Sequence, residues 1–314
     1  MHQNKIEMVN SSSLFHFTRD FETLKQILAE GLRFNYCYEP FGEIVAKQGW
    51  DIVLKVGATI INCKGIAIPM ICFCDIPLLR TQKHREKYGN YMIGFNREVL
   101  VKAVNTTGYM MNPVQYRCCP IFDEQIEELS IQKDKYIAQI GFTEIPNDGF
   151  EIRKGEKRDD LQFSNIIMQT GIREKNKETI RRINAIDSII GFSKPYKDAC
   201  GYDYMEEREW RIIIPDCNRP SPNLGWLKFA SKEQVDIFKL KLSDNYPREL
   251  YLLFDNIEIT TLVNYIVVSS EMERNAIIYF LNKGNKFFGY DLSVDQRTNL
   301  LSKITSFEQI ERDY

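Results

Sequence analysis

The sequence has no apolar run that approaches the about 20 residues of a membrane-spanning helix. Residues 1–13 also lack the basic-then-apolar order of a signal peptide. We find no Walker-type phosphate loop and no Gly-x-Gly-x-x-Gly after a strand. These absences predict a protein with no membrane partner, and they argue against the two commonest nucleotide-binding motifs.

A charge imbalance is missing as well. The 314 residues include 41 Lys and Arg and 43 Asp and Glu, which gives a net charge of −2. Nothing global therefore indicates nucleic-acid binding, although a local basic surface stays open. The composition, 44% hydrophobic and 27% charged, is ordinary for a globular protein with a substantial core. No internal repeat, low-complexity segment or Gly/Pro linker marks a boundary, so we predict one domain over residues 1–314.

The cysteines do not form the regular framework of a secreted, disulfide-rich protein. There are eight, irregularly spaced, and Cys118 and Cys119 are adjacent. We therefore expect a cytoplasmic protein with reduced thiols and no disulfide. Cys72-x-Cys74 with His84 would supply only three of the four ligands of a structural zinc site, and free cysteines are commonly buried. We expect no bound metal.

The most informative stretch of the chain is residues 68–95. Ile68 to Asp75 is an apolar run that Pro77 stops, which is typical of a buried strand. Residues 79–87 are polar and basic and predict a short exposed helix, and residues 91–95 predict a second strand. A buried strand that ends in Asp75 and opens onto a loop bearing His84 and Tyr88 is a common place for a site. The basic residues of this loop can equally be a solvated face.

Near the N-terminus, residues 14–18 predict a strand that carries His16 and Thr18 on one face. Arg19 follows, and Asp20 is a good N-cap for a helix that ends at Gly31. This histidine can be a ligand-binding residue or a core histidine with its hydrogen bonds satisfied.

A second informative stretch, residues 205–215, predicts a strand with Glu207, Glu209 and Arg211 on one face. Two carboxylates so placed repel each other unless a cation lies between them, and Arg211 is the natural partner. These side chains can also form a surface ladder with no further role. Elsewhere we predict a helical insertion or lid at 121–185, strands at 249–254 and 265–269, a helix at 271–281 and a helical tail from about 294.

Taken in order, several segments resemble the AbiGi-type abortive-infection proteins of bacterial phage defence. They are LFHFTRDFETLKQILAEGLRF from Leu14, PMICFCDIPL from Pro69, the element with His84 and Tyr88-Gly89, NPVQY, and EREWR. The resemblance implies a role in phage defence, and the family is often called an antitoxin family. It therefore also implies a cognate toxin or antitoxin partner.

More distantly, a strand with His-x-Thr, a capped helix and a late strand with Glu-x-Glu resemble the ADP-ribosyltransferase fold, including DarT-like enzymes. This resemblance implies an α+β, ADP-ribosyltransferase-like split twisted β-sheet with flanking helices and a helical insertion. It also implies NAD as substrate and a protein or nucleic-acid acceptor. The chain departs from the family in its middle signature, where Cys72 to Asp75 replaces a Ser-Thr-Ser strand.

The ADP-ribosyltransferase resemblance also implies roles for individual residues. Glu209 would be the catalytic carboxylate that stabilises an oxocarbenium-like state, and Glu207 would orient the acceptor. The other residues would bind NAD: His16 at the ribose with Thr18 beside it, Tyr88 stacked on nicotinamide, and Asp75 in the same cleft. The pyrophosphate would be held by Arg19 or by the basic run from Arg80 to Lys87, which includes His84. The leading hypothesis is NAD-dependent ADP-ribosyl transfer in phage defence. The alternative is a non-catalytic antitoxin or partner-binding protein.

Overall fold

The computed structural model describes residues 12–40, 54–56, 59–61, 65–117, 120–139, 176–196, 203–218, 224–229, 232–243, 246–247, 250–252, 258–284 and 286–313. The strands are β1 Ser13–Thr18, β2 Asn35–Pro40, β3 Leu54–Val56, β4 Thr59–Ile61, β5 Gly65–Cys74, β6 Tyr91–Asn96, β7 Met110–Pro113, β8 Gln115–Arg117, β9 Ser193–Pro195, β10 Glu209–Ile213, β11 Leu227–Phe229, β12 Val263–Val268, β13 Lys286–Phe287, β14 Tyr290–Asp291 and β15 Ile304–Ser306. The helices are α1 Phe21–Glu30, α2 Gln82–Tyr88, α3 Arg97–Asn105, α4 Pro120–Gln139, α5 Lys177–Gly191, α6 Lys232–Ser243, α7 Ile259–Leu262, α8 Glu271–Lys283, α9 Val294–Leu301 and α10 Phe307–Asp313.

Nine of the described strands form one mixed sheet in the order β15-β12-β6-β1-β5-β10-β7, and β2 and β11 also pair with β5. The β12–β15 pair is parallel, and the other pairs in this sheet are antiparallel. Strand β5 lies at the centre because its sequence, GIAIPMICFC, is almost entirely buried. Such a continuous apolar run suits a strand that is covered on both faces. The α+β prediction is confirmed.

The sheet separates two apolar layers. On one face, which we call the core face, Leu14, Phe73 and Ile212 belong to the largest buried cluster. On the other face, which we call the helix-pair face, Ile68 and Ile213 pack in a second cluster together with residues of α4 and α5. Helices α4 and α5 lie within or adjoin the predicted insertion, and residues 140–175 between them lie outside the described part of the chain.

A buried ion cluster attaches this helix pair to the sheet. Lys133 of α4 places its Nζ 2.6 Å from Asp187 Oδ1 of α5 and 2.9 Å from Asp216 Oδ2, just after β10. Nζ also lies 3.6 Å from the centroid of the Trp226 ring. All three charged side chains are at most 5% exposed. We call Lys133, Asp187 and Asp216 the Lys133 cluster.

Most predicted elements are confirmed within a few residues. Asp20 caps α1 as expected, since its Oδ1 accepts from the Thr23 amide at 2.7 Å. Gly89 ends α2 with φ +109, and a Cβ there would lie 2.3 Å from the Thr18 carbonyl oxygen, so this break needs glycine. The strand predicted at 249–254 is wrong for its described part, where Tyr251 makes only an isolated bridge to Arg33. Residues 249, 253 and 254 of the predicted strand lie outside the described ranges.

None of the described helices is long and apolar enough to cross a membrane.

Candidate functional site

The Glu-x-Glu stretch lies where β10 begins. Glu209 is the first residue of β10, and Arg211 follows it on the same face, as alternation predicts. The predicted strand is wrong for Glu207, which lies on the 3-10 turn Tyr204–Glu207. Arg208 then has φ 44 and ψ 49, a left-handed conformation that interrupts the extended chain between the two glutamates.

Arg211 ties Glu209 to strand β2. Its Nε donates to Glu209 Oε1 at 2.8 Å, and its Nη2 donates to Glu39 Oε1 at 2.7 Å. Its Nη1 donates to the Gly191 carbonyl oxygen at 2.9 Å. The guanidinium is fully buried and has lost its contacts with water. These hydrogen bonds to protein atoms take the place of the lost hydration. The predicted Glu209–Arg211 pair is confirmed.

Lys194 joins the two glutamates. Its Nζ lies 2.9 Å from Glu207 Oε2 and 2.7 Å from Glu209 Oε2. Glu207 Oε1 in turn accepts from Lys87 Nζ at 2.7 Å and from the Tyr88 hydroxyl at 2.5 Å, both from α2. We call Glu39, Lys87, Lys194, Glu207, Glu209 and Arg211 the carboxylate cluster, and it holds three acids and three bases.

The charges of the cluster set the protonation of its glutamates. Burial alone would raise the pKa of Glu209, but the charges and hydrogen bonds of Arg211 and Lys194 outweigh it and lower the pKa to about 2. Burial would also raise the pKa of Glu207, but the charge of Lys194 and the hydrogen bonds from Lys87, Tyr88 and Lys194 outweigh it and lower the pKa. Glu39 differs, since burial raises its pKa in spite of Arg211. Glu209 is therefore ionised, and both of its oxygens are occupied by cations.

His16 does not converge with Glu209. Phe15 and Glu209 both pair with Cys74, which places their side chains on one face of the sheet, and His16 projects from the opposite face. Strands β1 and β10 are also two strand spacings apart, about 10 Å. The His16 Nδ1 makes a 2.9 Å hydrogen bond with the Cys72 carbonyl oxygen, and its ring contacts Phe73 on the core face. The expectation that His16 and Glu209 meet in one cleft is wrong, and the core-histidine alternative agrees with this geometry.

The other predicted NAD-binding residues are dispersed. Asp75 accepts from Arg97 Nη1 at 3.0 Å and contacts neither glutamate. Thr18 is buried at the end of β1, and Arg19 is exposed beside it. His84 is buried with its ring near those of Phe17 and Tyr88, and burial lowers its pKa. Of this set, Tyr88 donates to Glu207 of the carboxylate cluster, and His84 lies close to the backbone of the same glutamate. The proposed NAD-binding roles stay predictions.

Sequence reasoning missed two members of the cluster, Glu39 and Lys194, and it considered Lys87 only as part of the basic run proposed for the pyrophosphate. A buried Glu-x-Glu requires cations, so the need for a second one could have been inferred. Its identity could not, because β9 and β10 meet only through the tertiary fold. Tyr204 adds to the site, since its ring lies 4.2 Å from the Lys194 Nζ.

Two open cavities lined by described residues lie away from the carboxylate cluster. One, of about 390 Å³, lies between β2 and α6, and the other, of about 370 Å³, lies between β7 and α5. Neither is lined by a residue of the cluster. In the part of the chain that the structure describes, no group of three or more His, Cys, Asp or Glu side chains could hold a metal ion. The absence of a bound metal stays a prediction.

Comparison with known proteins identifies two similarities. A family model described as "Putative abortive phage resistance protein AbiGi, antitoxin" matches residues 55–264. The chain is also 26% identical over 274 residues to the abortive phage resistance protein AbiGi of Lactococcus lactis subsp. cremoris, with 83% of this chain and 94% of that protein covered. No solved structure gives a significant match. The resemblance to AbiGi-type proteins is thus confirmed, and the resemblance to ADP-ribosyltransferases stays a prediction.

Proposed function

Because the chain belongs to the AbiGi family of abortive phage resistance proteins, we propose that it acts in phage defence as an antitoxin. In this role it binds and neutralises a toxic partner protein and turns over no substrate. The family description names an antitoxin, which supports this choice.

One observation carries the proposal: the carboxylates that would do the chemistry are already occupied. Glu209 is 6% exposed and is bound by Arg211 and Lys194. A carboxylate that accepts a substrate hydroxyl needs a free oxygen facing a cleft. His16, the second residue of the implied NAD site, projects from the face of the sheet opposite to Glu209 and so cannot act beside it. The cluster is better suited to fixing the end of β10 against β2, α2 and β9 than to catalysis.

NAD-dependent ADP-ribosyl transfer to a protein or nucleic acid is the second candidate. The observation that favours it is the position of Tyr88, whose hydroxyl donates to Glu207, two residues before Glu209. An aromatic ring beside two carboxylates is an arrangement that could hold a nicotinamide ring near a stabilising charge. In this candidate Glu209 would have to exchange Lys194 for the substrate.

Co-expression with the products of adjacent genes separates the two candidates. We expect the chain alone to leave bacterial growth and cellular NAD unchanged, and to restore growth when a neighbouring gene product is toxic. Glu209→Gln should retain this protection wherever circular dichroism and thermal melting show a folded protein. Glu206→Gln is the matched control, since Glu206 lies on the neighbouring turn Tyr204–Glu207 and, among the described residues, pairs only with the exposed Lys83.

The enzyme candidate gives the opposite result. Growth arrest by the chain alone, with NAD consumption that falls about a hundredfold or more in folded Glu209→Gln, would replace the antitoxin proposal. Failure of the chain to protect against any toxic neighbouring product would also contradict it.

A further inference from the structure

The cavity between β7 and α5 follows the outer edge of β7, the strand at one end of the nine-stranded sheet. Among the described strands, β7 pairs only with β10. The cavity has a volume of about 370 Å³, and three consecutive residues of β7, Met110 to Asn112, line it. It is therefore a groove along the edge of a strand, and we call it the β7 groove.

The edge of β7 presents backbone hydrogen-bonding groups to this groove. In an antiparallel pair, residues that bond to the neighbouring strand alternate with residues whose N–H and C=O point away from it. The Val114 amide donates to the Glu209 carbonyl oxygen at 2.8 Å, which fixes the alternation between β7 and β10. Asn112, two residues earlier, then bonds to β10, whereas Met111 directs its N–H and C=O outward. Met111 thus offers one donor and one acceptor to a further strand.

The two walls of the groove lie on opposite faces of the sheet. On the core face, the lining residue Tyr109 packs against the largest buried cluster. On the helix-pair face, Phe192 belongs to the second cluster, and Ile189 of α5 is 45% exposed beside it in the lining. Successive side chains of an extended chain point to opposite faces. A strand added to β7 would therefore place its side chains against the two walls in turn.

The chemistry of the lining fits a polypeptide segment without charge. None of the described residues that line the groove is charged. Three of them, Asn105, Asn112 and Gln115, carry carboxamides, which both donate and accept hydrogen bonds as a peptide unit does. The helix-pair wall, with Ile189 and Phe192, adds apolar surface. These features suit a peptide backbone with an apolar side chain, and they offer nothing that would hold an anion or a cation.

We propose that the β7 groove docks an extended segment of the toxic partner protein, which pairs with β7 as an additional strand and places an apolar side chain against Ile189 and Phe192. This inference rests on the proposed antitoxin function and names the surface that binds the partner. Pro113 has no N–H and so limits the length of the added strand. The backbone contact is therefore centred on Met111, and the side-chain contacts supply the rest of the affinity.

Met111→Pro tests the backbone contact. It removes the outward N–H but no hydrogen bond to β10, and the same strand already contains Pro113 two positions later. Calorimetry with the purified toxic product of the neighbouring gene should show binding at least tenfold weaker than that of the wild type. Met111→Leu, which keeps the N–H, should bind at least tenfold more tightly than Met111→Pro. Co-expression should show a loss of growth protection in Met111→Pro, and thermal melting shows whether it is folded.

Ile189→Arg tests the apolar wall and is the second variant if Met111→Pro does not fold. It should weaken binding of the toxic product at least tenfold. The matched control is Ile237→Arg, at an isoleucine of α6 that is 55% exposed and does not line the groove, and it should change the Kd less than twofold. Hydrogen exchange in residues 110–113 should slow at least tenfold in the complex, because the added strand protects the Met111 amide.

The outcomes separate this inference from the antitoxin proposal. Unchanged binding and protection by folded Met111→Pro or Ile189→Arg would overturn the inference alone. A wild-type chain that neutralises no toxic neighbouring product would overturn the antitoxin proposal and the inference together. Light scattering provides a further test. A wild-type dimer that Met111→Pro converts to a monomer with unchanged toxin binding would make the groove an interface between two copies, and the inference would be wrong.

Discussion

The carboxylate cluster and the Lys133 cluster are both buried, but only the first is balanced in charge. The carboxylate cluster contains three acids and three bases, whereas the Lys133 cluster contains two acids and one base. The pKa values of Asp187 and Glu209 follow this difference, whereas Glu39, which has Arg211 as its one cation, keeps a raised pKa. Burial raises the pKa of Asp187 to about 6 because Lys133 must serve Asp216 as well, whereas two cations lower the pKa of Glu209 to about 2. The number of partners, more than the depth of burial, thus decides whether a buried carboxylate stays ionised.

The largest expected effect comes from breaking the balanced cluster. Arg211→Met leaves Glu209 and Glu39 without their shared cation and Gly191 without its donor. We expect the free energy of unfolding to fall by about 3–5 kcal/mol, the usual cost of leaving a buried charge unpaired. Urea denaturation followed by circular dichroism measures the change.

The exposed Arg181→Met on α5 serves as the control for this prediction. If Arg211→Met does not fold, Arg211→Lys should show a smaller loss, since it keeps a positive charge. A loss below about 1 kcal/mol in Arg211→Met would mean that the cluster contributes little to stability.

A smaller, pH-dependent effect is expected at the unbalanced cluster. The ordinary pKa of an aspartate is 3.8, and the pKa of Asp187 in the folded protein is about 6. Between these two pH values the folded state therefore binds more protons than the unfolded state. Its contribution to stability is therefore present at low pH and is lost as pH rises from about 4 to about 6. Asp187→Asn should remove this loss, because the amide stays neutral and can still accept from the Asp216 amide. We expect the free energy of unfolding of the variant to rise relative to that of the wild type as pH increases over this range.

Urea midpoints at pH 2.5, 3.5, 4.5, 5.5, 6.5 and 7.5 measure the difference between each variant and the wild type. Glu209→Gln should show the reverse trend. The pKa of Glu209 is lowered in the folded state, so its contribution is present above the ordinary value of 4.5 and is lost as pH falls from there to about 2. Parallel profiles for the two variants would contradict the comparison between the clusters.

The smallest effect is expected at a pair that is close to the carboxylate cluster but exposed. Lys83 and Glu206 are 2.9 Å apart, and their side chains are 75% and 53% exposed. Exposed pairs are screened by water and salt, so Lys83→Ala should leave the urea midpoint unchanged within error. A clear, salt-dependent decrease would show that the turn with Glu206 supports the cluster.

Periodicity within a strand predicted part of this site, and only part. It correctly placed Glu209 and Arg211 on one face because their relation is local. It was wrong for Glu207 because Arg208, a residue with no sequence preference for the left-handed region, ends the extended chain.

The relation of His16 to Glu209 could not be predicted in the same way. Alternation within each strand was predicted correctly, but the faces are related through Cys74, which pairs with Phe15 and with Glu209. A shift of one residue in either register would have brought both side chains to the same face. Register of this kind depends on contacts between segments far apart in the chain. For the same reason, the contact of Lys194 with the two glutamates could not be predicted from the sequence.

The order of strands in the sheet also bears on how the protein is made. Strand β6 is synthesised early, but its neighbour β12, residues 263–268, is synthesised much later. Strand β12 in turn has no neighbour on its other side until residues 304–306 of β15 have been synthesised. During translation these edges are open, and an open edge can pair with another chain. A nonsense mutation or a ribosome that stalls before residue 304 would therefore release a chain with an uncovered strand, prone to aggregate.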